Sequence, residues 1–440
     1  MGSIAIEGGC VITGDEDRPW IDDGHILVRD GVIVSVGAGA APSKADERID
    51  AGGMLVSPGF VNGHTHLSMT LGRTLGVDES LLGWLAVQQP ITAALEPEDV
   101  RLAVQLGALE NLKAGNTTVC EVFSSTRFAD GVDAIAAEAI DEFGLRSVFF
   151  RCSNDLPFGG SETLDEIERR TRDLINAWAN SSRIQIGVGP KIPWAASRDY
   201  WHQTREFVAA GTPAHLHTSE TPEYNDLVRA KTGMSNVELL ADVGVLGPAV
   251  MLNHCVHLSD RDIGLISDHG SPVIHDPVSN MFLASGVAPI VALRDANVVL
   301  GLACDGAACN NTQDMFEVMK AASLLQKAVT RDPKALTAQD VFTMATSGGA
   351  AAAGLGKVTG RLAPGYAADV VLIDTDAPHL TPIHDPLAAL VYSARAADVH
   401  TVLVDGKVVL ANRTVPGFDE GALLARARER GAELRALAGI

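Results

Sequence analysis

Stretches near the two ends of the chain alternate apolar and polar residues in the way that β-hairpins do. Near the beginning, apolar runs lie on both sides of Asp30-Gly31, a dipeptide that favours a two-residue hairpin turn. Near the end, apolar runs flank Asp405-Gly406 in the same way. Neither end segment is long enough to enclose a core of its own. We therefore predict that the two segments pair into one small composite β-sandwich.

The middle of the chain alternates short apolar runs with helical patterns, which is typical of βα units in a parallel sheet. Helical patterns cover residues 97–113 and 315–327, for example. Eight βα units within about 300 residues indicate one (β/α)8 barrel. The predicted barrel strands are 55–66, 117–123, 147–153, 184–191, 214–220, 250–257, 272–277 and 298–305.

These patterns predict an α/β fold with two unequal parts. The predicted composite β-sandwich domain takes residues 1–55 and 360–418, and the predicted barrel takes residues 56–359. The amphipathic tail LLARARERGAELRALA predicts a C-terminal helix within residues 419–440, packed on the surface.

The acidic composition narrows the range of partners. The chain holds 34 basic and 55 acidic residues among its 440, a net charge of −21 at pH 7. Such a charge repels phosphates, which argues against nucleic acids and anionic membranes as partners. No apolar run is long enough for a membrane span, no secretory signal is recognisable, and the six cysteines form no CxxC pair. We therefore expect a cytoplasmic globular protein.

Histidines are concentrated where the predicted strands end, which is where a (β/α)8 barrel carries its catalytic groups. Seven of the thirteen take such positions: His64, His66, His215, His217, His254, His257 and His275. His64 and His66 lie two residues apart, so the period-2 geometry of a strand points both imidazoles to the same side. Two neutral imidazoles at this spacing suit a Zn²⁺-type ion, although histidines with purely structural hydrogen bonds would give the same pattern.

Further polar residues follow later strands and would meet these two histidines at the mouth of a barrel. His217 and Glu220 lie in the fifth predicted strand, a pattern that fits a metal ligand with a nearby proton shuttle. His254 lies in the sixth strand, and Asp305 ends the eighth. A carboxylate buried after a long apolar run is unfavourable unless it is paired or binds a metal. Together these signals favour a metal centre over structural histidines.

Five stretches give the sequence a resemblance to a known family. They are PGFVNGHTHLSMTLGR (58–73), HLHTSE (215–220), NHCVHL (253–258), HDPVSN (275–280) and CDGAACNN (304–311). In this order they resemble the amidohydrolase superfamily, and within it the aminohydrolase branch that includes S-adenosylhomocysteine/methylthioadenosine deaminases and triazine chlorohydrolases. The resemblance covers nearly the whole chain. It implies a barrel with a composite β-sandwich built from both chain ends.

The resemblance also implies a mononuclear site for one divalent metal ion, most simply Zn²⁺, with Fe²⁺ as an alternative. By motif, the implied ligands are His64, His66, His217 and Asp305. Glu220 resembles the acid/base that carries a proton to a nitrogen of the substrate ring. His254 resembles the residue that orients or polarises the attacked group. A bound divalent ion lowers the pKa of water toward about 7, and Asp305 would accept the proton that this water releases.

The activity implied is that of a metal-dependent aminohydrolase, a hydrolase that acts on carbon–nitrogen bonds other than peptide bonds. Its substrate would be a small aminated N-heteroaromatic, most simply an adenosine-type nucleoside. Three alternatives stay open: removal of chloride or an alkylamine from a triazine-like ring, two-metal hydrolysis of a cyclic amide, and a barrel that has lost catalysis. A homo-oligomer is expected by analogy with relatives.

Four residues are candidates for substrate contact: Trp84, Arg151, Lys191 and Cys309. Trp84 matches a tryptophan of the nucleoside deaminases and would stack on a flat ring, although the acid that holds ribose there has no counterpart beside it. Arg151 and Lys191 end the third and fourth predicted strands. Lys191 would contact substrate or, if carboxylated, bridge two metals. Cys309 replaces a common serine. A structural role is the alternative for each of the four.

Overall fold

Strands occupy both ends of the chain, and strand–helix units occupy the middle. The computed structural model describes every residue except 1, 16, 159, 438 and 440. The strands are β1 Ser3–Ile12, β2 Trp20–Arg29, β3 Val32–Ala38, β4 Glu47–Asp50, β5 Met54–Pro58, β6 Phe60–Thr65, β7 Asn116–Ser124, β8 Arg146–Ser153, β9 Ile184–Pro190, β10 Ala214–Thr218, β11 Val250–His254, β12 Val273–His275, β13 Leu300–Leu302, β14 Val370–Asp374, β15 Val399–Val404 and β16 Lys407–Leu410.

Helices separate the strands of the middle region and close the chain. They are α1 Leu81–Ala93, α2 Pro97–Lys113, α3 Val132–Glu142, α4 Leu164–Trp178, α5 Arg198–Ala209, α6 Pro222–Thr232, α7 Asn236–Asp242, α8 Asp260–His269, α9 Pro277–Phe282, α10 Ile290–Asp295, α11 Met315–Thr330, α12 Ala338–Thr343, α13 Gly349–Ala352, α14 Pro386–Tyr392 and α15 Glu420–Leu437. Within the described part of the chain, none of these helices is both long and apolar enough to cross a membrane.

Strands β6 to β13 form one sheet in which each strand pairs in parallel with the next along the chain. The predicted (β/α)8 barrel is thereby confirmed. β7 and β8 are buried at every position, as expected of strands with helices outside and packed side chains inside. The first and last strands meet at the mouth, where the backbone N–H of Asp305 donates to the carbonyl oxygen of His64 at 3.0 Å.

The apolar run 55–66, predicted as one strand, is two strands that belong to different sheets. β5 pairs with β1 and β14 in the end sheet, whereas β6 opens the barrel. The chain passes between them at Gly59, where a Cβ atom would lie 2.0 Å from Thr117 Oγ1. Only glycine lets the two sheets come this close. The end sheet therefore reaches Pro58, beyond the predicted boundary at residue 55.

The two ends of the chain build one mixed sheet, as predicted. Its strand order is β16-β15-β14-β5-β1-β2-β3, with β4 paired to β1. Residues alternate along β14: Val370 and Leu372 join the core of the end sheet, while Val371 and Ile373 face the core of the barrel. This alternation attaches the end sheet to the barrel through a continuous apolar layer.

The two predicted hairpin turns contact each other. Gly31 and Gly406 both have positive φ angles, 85° and 71°. A Cβ on Gly31 would lie 2.8 Å from the carbonyl oxygen of Asp405, and one on Gly406 would lie 2.6 Å from the Cα of Gly31. The turn chemistry therefore serves a second purpose, because it lets the first and last hairpins pack against one another.

Polar contacts add to the attachment of the two parts. Arg146 of β8 forms a buried bidentate ion pair with Asp369, which precedes β14. Its Nε lies 2.9 Å from Asp369 Oδ2, and its Nη2 lies 3.2 Å from Oδ1. Helix α15 lies on α2, where Arg430 binds the carboxylate of Asp99 at 2.7 and 2.8 Å. The predicted C-terminal helix is thus described up to Leu437, and residues 438 and 440 of that prediction lie outside the described residues.

Candidate active site

Three histidines and one aspartate bring donor atoms together at the mouth of the barrel. His64 lies on β6 with His66 just after it, and His217 lies on β10. The Nε2 atoms of His66 and His217 are 3.3 Å apart. Asp305 Oδ1 lies 3.4 Å from His64 Nε2 and 3.8 Å from His66 Nε2. Donor atoms of the three histidines all lie within 4.8 Å of one another.

Backbone carbonyls determine which nitrogen of two of these rings is free. The Nδ1 of His66 lies 2.7 Å from the carbonyl oxygen of Val122, and that of His217 lies 3.1 Å from the carbonyl oxygen of Lys191. A carbonyl oxygen only accepts, so each Nδ1 carries the hydrogen and each Nε2 keeps a lone pair. Burial lowers the pKa of both rings, that of His66 to about 3, so both are neutral.

His64 is oriented by His215, a residue to which the sequence analysis gives no role. Its Nδ1 lies 3.0 Å from His215 Nε2, and the two rings stack with an angle of 9° between their planes. The remaining nitrogen, His64 Nε2, is buried and has no hydrogen-bond partner within the described residues. An unpartnered buried nitrogen facing a carboxylate and two further imidazoles is what a metal ligand presents before it binds.

Asp305 supplies the fourth donor in a fixed orientation. Its Oδ2 accepts from the hydroxyl of Ser279 at 2.7 Å, and its Oδ1 accepts from the backbone N–H of Gly306 at 2.6 Å. Burial acts to raise its pKa, but the imidazole of His64 3.4 Å away, together with His66 and His254, holds that pKa well below its ordinary value. Three imidazole nitrogens and one ionised carboxylate oxygen are the ligand types of catalytic zinc sites, so the donor set fits a divalent metal ion.

Glu220 and His254 form a buried pair beside these donors. His254 Nε2 lies 3.6 Å from Glu220 Oε2, while its Nδ1 lies 3.6 Å from Asp276 and 3.0 Å from the side-chain oxygen of Asn280. Burial opposes the charge of His254, but Glu220 and Asp276 raise its pKa to about 9. Burial also raises the pKa of Glu220. Both groups are thus suited to hold a proton near neutral pH.

Two strained turns carry this pair into the site. Ser219, before Glu220, has a φ of 50°, and His254 has a φ of 66°, which are left-handed values unusual outside glycine. Hydrogen bonds between the turns hold them, because the N–H of Cys255 donates to the carbonyl of Thr218 and that of Val256 donates to Ser219. Strained backbone of this kind persists only where the surrounding structure holds it, and it is common at functional sites.

A cavity opens above the metal-ligand candidates, with mostly apolar and aromatic walls. Trp84 and Cys309, both predicted to touch substrate, line it. The indole N–H of Trp84 donates to the carbonyl oxygen of Ala308 at 2.8 Å, which fixes the ring in the wall. Burial raises the pKa of the Cys309 thiol well above its ordinary value, so it remains protonated and weakly nucleophilic.

Of the two cationic candidates, Lys191 lines the cavity and Arg151 does not. The Arg151 guanidinium is fully buried, with Nε 2.9 Å from Asp133 and Nη2 2.5 Å from Glu162. These two carboxylates hold it inside the wall of the barrel. These ion pairs match the alternative given for Arg151, a structural role, and the side chain does not reach the cavity. The arginine that does line the cavity is Arg127, which follows β7.

Two more residues of the site carry signals that the sequence analysis did not use. Glu121 is an acid inside the apolar run of the second barrel strand. Its Oε2 accepts from the backbone N–H of Leu67 at 2.8 Å, which fixes the backbone after His66, and burial raises its pKa to about 8. Arg127 follows the end of the same strand, the position at which barrels carry functional groups. Both could have been found by applying that rule to every charged residue.

Comparison with protein families gives one match over most of the chain. The model of the amidohydrolase family matches residues 55–409. Among curated relatives, a 5-methylthioadenosine/S-adenosylhomocysteine deaminase from Pelotomaculum thermopropionicum is 38% identical over 441 residues, covering 99% of both chains. A 5′-deoxyadenosine deaminase from Methanothermobacter thermautotrophicus is 39% identical over 430 residues, covering 96% of this chain and 98% of the relative.

Solved structures agree with the fold described above. An adenosine deaminase from Xanthomonas campestris with bound zinc superposes with a TM-score of 0.92 at 31% identity, covering 98% of both chains. An atrazine chlorohydrolase from Arthrobacter aurescens complexed with zinc superposes equally well, with a TM-score of 0.92 over 97% of this chain and all of the other. Its identity is 24%, so that likeness supports the fold alone.

Proposed function

Because this chain belongs to the amidohydrolase family, we propose that it removes the exocyclic amino group of an aminated N-heteroaromatic by hydrolysis, with an adenosine-type nucleoside as substrate. One observation carries the proposal: the buried pair Glu220–His254 shares one cavity with His66, His217 and Asp305, and His64 lies 3.4 Å from Asp305. The names of the two curated relatives and of the zinc-containing deaminase support the choice of an adenine ring.

We propose His64, His66, His217 and Asp305 as the ligands of one divalent ion, with zinc favoured by the zinc-containing structural relative. Such an ion supplies acidity, since it lowers the pKa of a bound water toward about 7. The neutral imidazoles and the ionised aspartate described above suit this task, because each offers a free lone pair at neutral pH.

Side chains of the protein then transfer the protons that the reaction requires. Asp305 accepts a proton from the attacking water, whose oxygen forms the new bond to the ring carbon. Glu220, whose pKa is raised by burial, donates in its protonated form to the adjacent ring nitrogen, so that no negative charge accumulates there. The cationic His254 donates a hydrogen bond toward the attacked carbon's substituent. The carbon–nitrogen bond breaks as the proton held by Asp305 passes to the departing nitrogen. The proton of the new hydroxyl group returns to Glu220, and ammonia and a ring carbonyl result.

Trp84 is proposed to stack on the flat ring, and Cys309 to complete the wall beside it. Removal of chloride or an alkylamine from a triazine-like ring would use the same groups, and the atrazine chlorohydrolase shares only the fold at its level of identity. The two-metal hydrolysis through carboxylated Lys191 stays a prediction, as do the cytoplasmic location and the homo-oligomer.

The test is ammonia release by zinc-loaded protein from adenosine, 5′-deoxyadenosine, 5′-methylthioadenosine, S-adenosylhomocysteine, guanine and melamine, with chloride release from a chlorotriazine in parallel. We expect ammonia from at least one adenine nucleoside. Chloride without ammonia would select the triazine alternative. Two metal ions per chain, one of which is lost in Lys191→Ala, would select the two-metal alternative.

Glu220→Gln separates catalysis from metal binding. We expect the substitution to lower kcat by at least about 100-fold, because it removes the proton donor to the ring. Metal content measured by elemental analysis should stay at one ion per chain. Glu223→Gln is the matched control, since Glu223 is an exposed residue of α6 close by in the chain. Full turnover by Glu220→Gln would contradict the role proposed for this residue.

A further inference from the structure

Two cations in the wall of the cavity have no anionic partner within the described residues. Arg127 follows β7 and Lys191 follows β9, and both line the cavity. The Nε and Nη2 atoms of Arg127 are buried without a hydrogen-bond partner. Among the ion pairs of the described residues, none involves either side chain. Both side chains are half-buried, and the shielded nitrogens of Arg127 have no hydrogen-bond acceptor among the described residues. Shielding part of an unpaired cation from water is unfavourable, so the pair favours an anion that comes from outside the protein.

The neighbouring arginines show that carboxylates are available on this side of the barrel but are already used. Arg151 pairs with Asp133 and Glu162, and Arg170 pairs with the same two carboxylates. Arg127 lies outside this network. Its missing partner therefore reflects its position in the cavity wall and not a general shortage of acids nearby.

The two carboxylates that line the cavity both lie against histidines and pair with neither of these cations. They are Glu220, beside His254, and Asp305, against His64 and His66. Around the two cations the lining is aromatic and apolar instead, with Phe128, Phe158 and Trp194. An apolar surrounding excludes water and strengthens a charge-assisted hydrogen bond to any anion that enters.

The two cations also lie close to each other and to the reacting end of the site. After burial, the charge of Arg127 is the next cause that lowers the pKa of Lys191, so the two groups repel each other. The carbonyl oxygen of Lys191 is 3.1 Å from His217 Nδ1. Both cations line the same cavity as His66 and His217, so a substituent of a molecule bound there has access to them.

We propose that Arg127 and Lys191 bind an anionic substituent of the substrate, a carboxylate or a phosphate, and thereby make this protein selective for anionic aminated heteroaromatics. The proposal rests on the deaminase function proposed above and specifies its substrate. Arg127 presents a planar fork of donors suited to either anion, while Lys191 adds a point charge. Apart from Glu220 and Asp305, which lie against histidines, the described lining holds no carboxylate that would repel such a group.

The first test compares three adenine nucleosides that differ at the 5′ position: neutral 5′-deoxyadenosine, adenosine 5′-carboxylate and adenosine 5′-monophosphate. We expect kcat/KM of the wild type to be about 10- to 100-fold higher for at least one anionic compound, the range of a charge-assisted hydrogen bond. The better anion tells a carboxylate from a phosphate. Arg127→Met should reduce this selectivity ratio at least about tenfold, whereas Arg205→Met, at an exposed arginine of α5, should keep it. An unchanged ratio in Arg127→Met would overturn the proposal while leaving deamination in place.

A second test needs no turnover, so it separates failure of this proposal from failure of the proposed function. The thermal midpoint of the zinc-loaded protein is measured in sodium benzoate, in sodium phosphate and in sodium chloride at equal ionic strength. We expect benzoate or phosphate to raise the midpoint of the wild type at least about 2 °C more than that of Arg127→Met. Equal shifts in both proteins would overturn the anion site whether or not any nucleoside is deaminated.

Discussion

At the scale of single residues, the pKa values of Glu220 and His254 are both raised, but by different features of the same buried surroundings. Burial raises the pKa of the acid, whereas the neighbouring carboxylates raise the pKa of the histidine to about 9 in spite of its burial. Each pKa is therefore shifted upward, toward the protonated form of the side chain. In such a pair, Glu220 can donate one proton to a ring nitrogen while a second proton stays on His254 near the attacked carbon.

The alkaline side of the pH profile follows from His254. Because its pKa is raised from 6.5 to about 9, the ring stays cationic through neutral pH and loses its proton as the pH rises through about 9. We expect kcat/KM to fall above that pH, and His254→Gln to lose about 100-fold or more in kcat/KM together with this alkaline limb. Profiles from pH 6 to 10 check both points, and an unaltered limb near pH 9 in the variant would contradict them.

Residues of the site could be predicted from the sequence where they lie at or near the end of a barrel strand. His64, His66, His217 and Asp305 follow strands and converge in space, as expected from the barrel rule. Arg151 and Arg127 also follow strands, and the rule does not tell them apart. Their difference lies in Asp133 and Glu162, which bind Arg151 from other parts of the chain. The periodicity of a strand does not show which residues of other elements form ion pairs with its side chains.

At the scale of secondary-structure elements, Gly59 marks the passage from the end sheet to the barrel. Gly59→Ala would place a Cβ 2.0 Å from Thr117 Oγ1, so β5 or β7 must move. We expect the free energy of unfolding to fall by about 1–3 kcal/mol or more, as for other overpacked sites. Gly247→Ala is the matched control, because no atom lies within 4 Å of its added Cβ. Urea unfolding measures both, and equal stabilities would refute the steric argument.

The same position explains where prediction of the elements stops. The stretch 55–66 has apolar residues on both sides of Pro58-Gly59, and periodicity alone cannot show that its two halves join different sheets. The hairpin turns at Asp30-Gly31 and Asp405-Gly406 were predictable, because a type of turn has a local sequence signature. Their contact with each other was not, because it depends on two segments at opposite ends of the chain.

At the scale of the whole molecule, the pair Arg146–Asp369 joins the two sheets. Asp369→Ala leaves a buried guanidinium with one distant partner, Asp405 at 3.7 Å. Removing one member of a buried ion pair is strongly destabilising, and we expect a loss of about 3–5 kcal/mol in chemical unfolding. Asp173→Ala removes an exposed ion pair on α4 and should change stability by less than about 1 kcal/mol. Equal losses in the two variants would contradict this assignment.

Metal removal tests the barrel as a whole, because its proposed ligands come from the first, fifth and last strands and lie where the barrel closes. We expect chelation to abolish turnover and to lower the thermal midpoint by several degrees, since the ion binds the folded state alone. One equivalent of zinc should restore both. His66→Ala should remove this response, whereas His269→Ala, at an exposed histidine on α8, should keep it. A need for two equivalents would contradict the mononuclear site.

The joining of both chain ends in one sheet has a consequence for synthesis. β5 pairs with β14, and the first hairpin packs against the last, so the early strands emerge from the ribosome long before their partners exist. Until the intervening barrel has been translated, the edge of β5 remains open to pairing with other nascent chains. Slowing translation should therefore increase aggregation of this protein, and a circular permutant that makes the two end segments contiguous should reduce it.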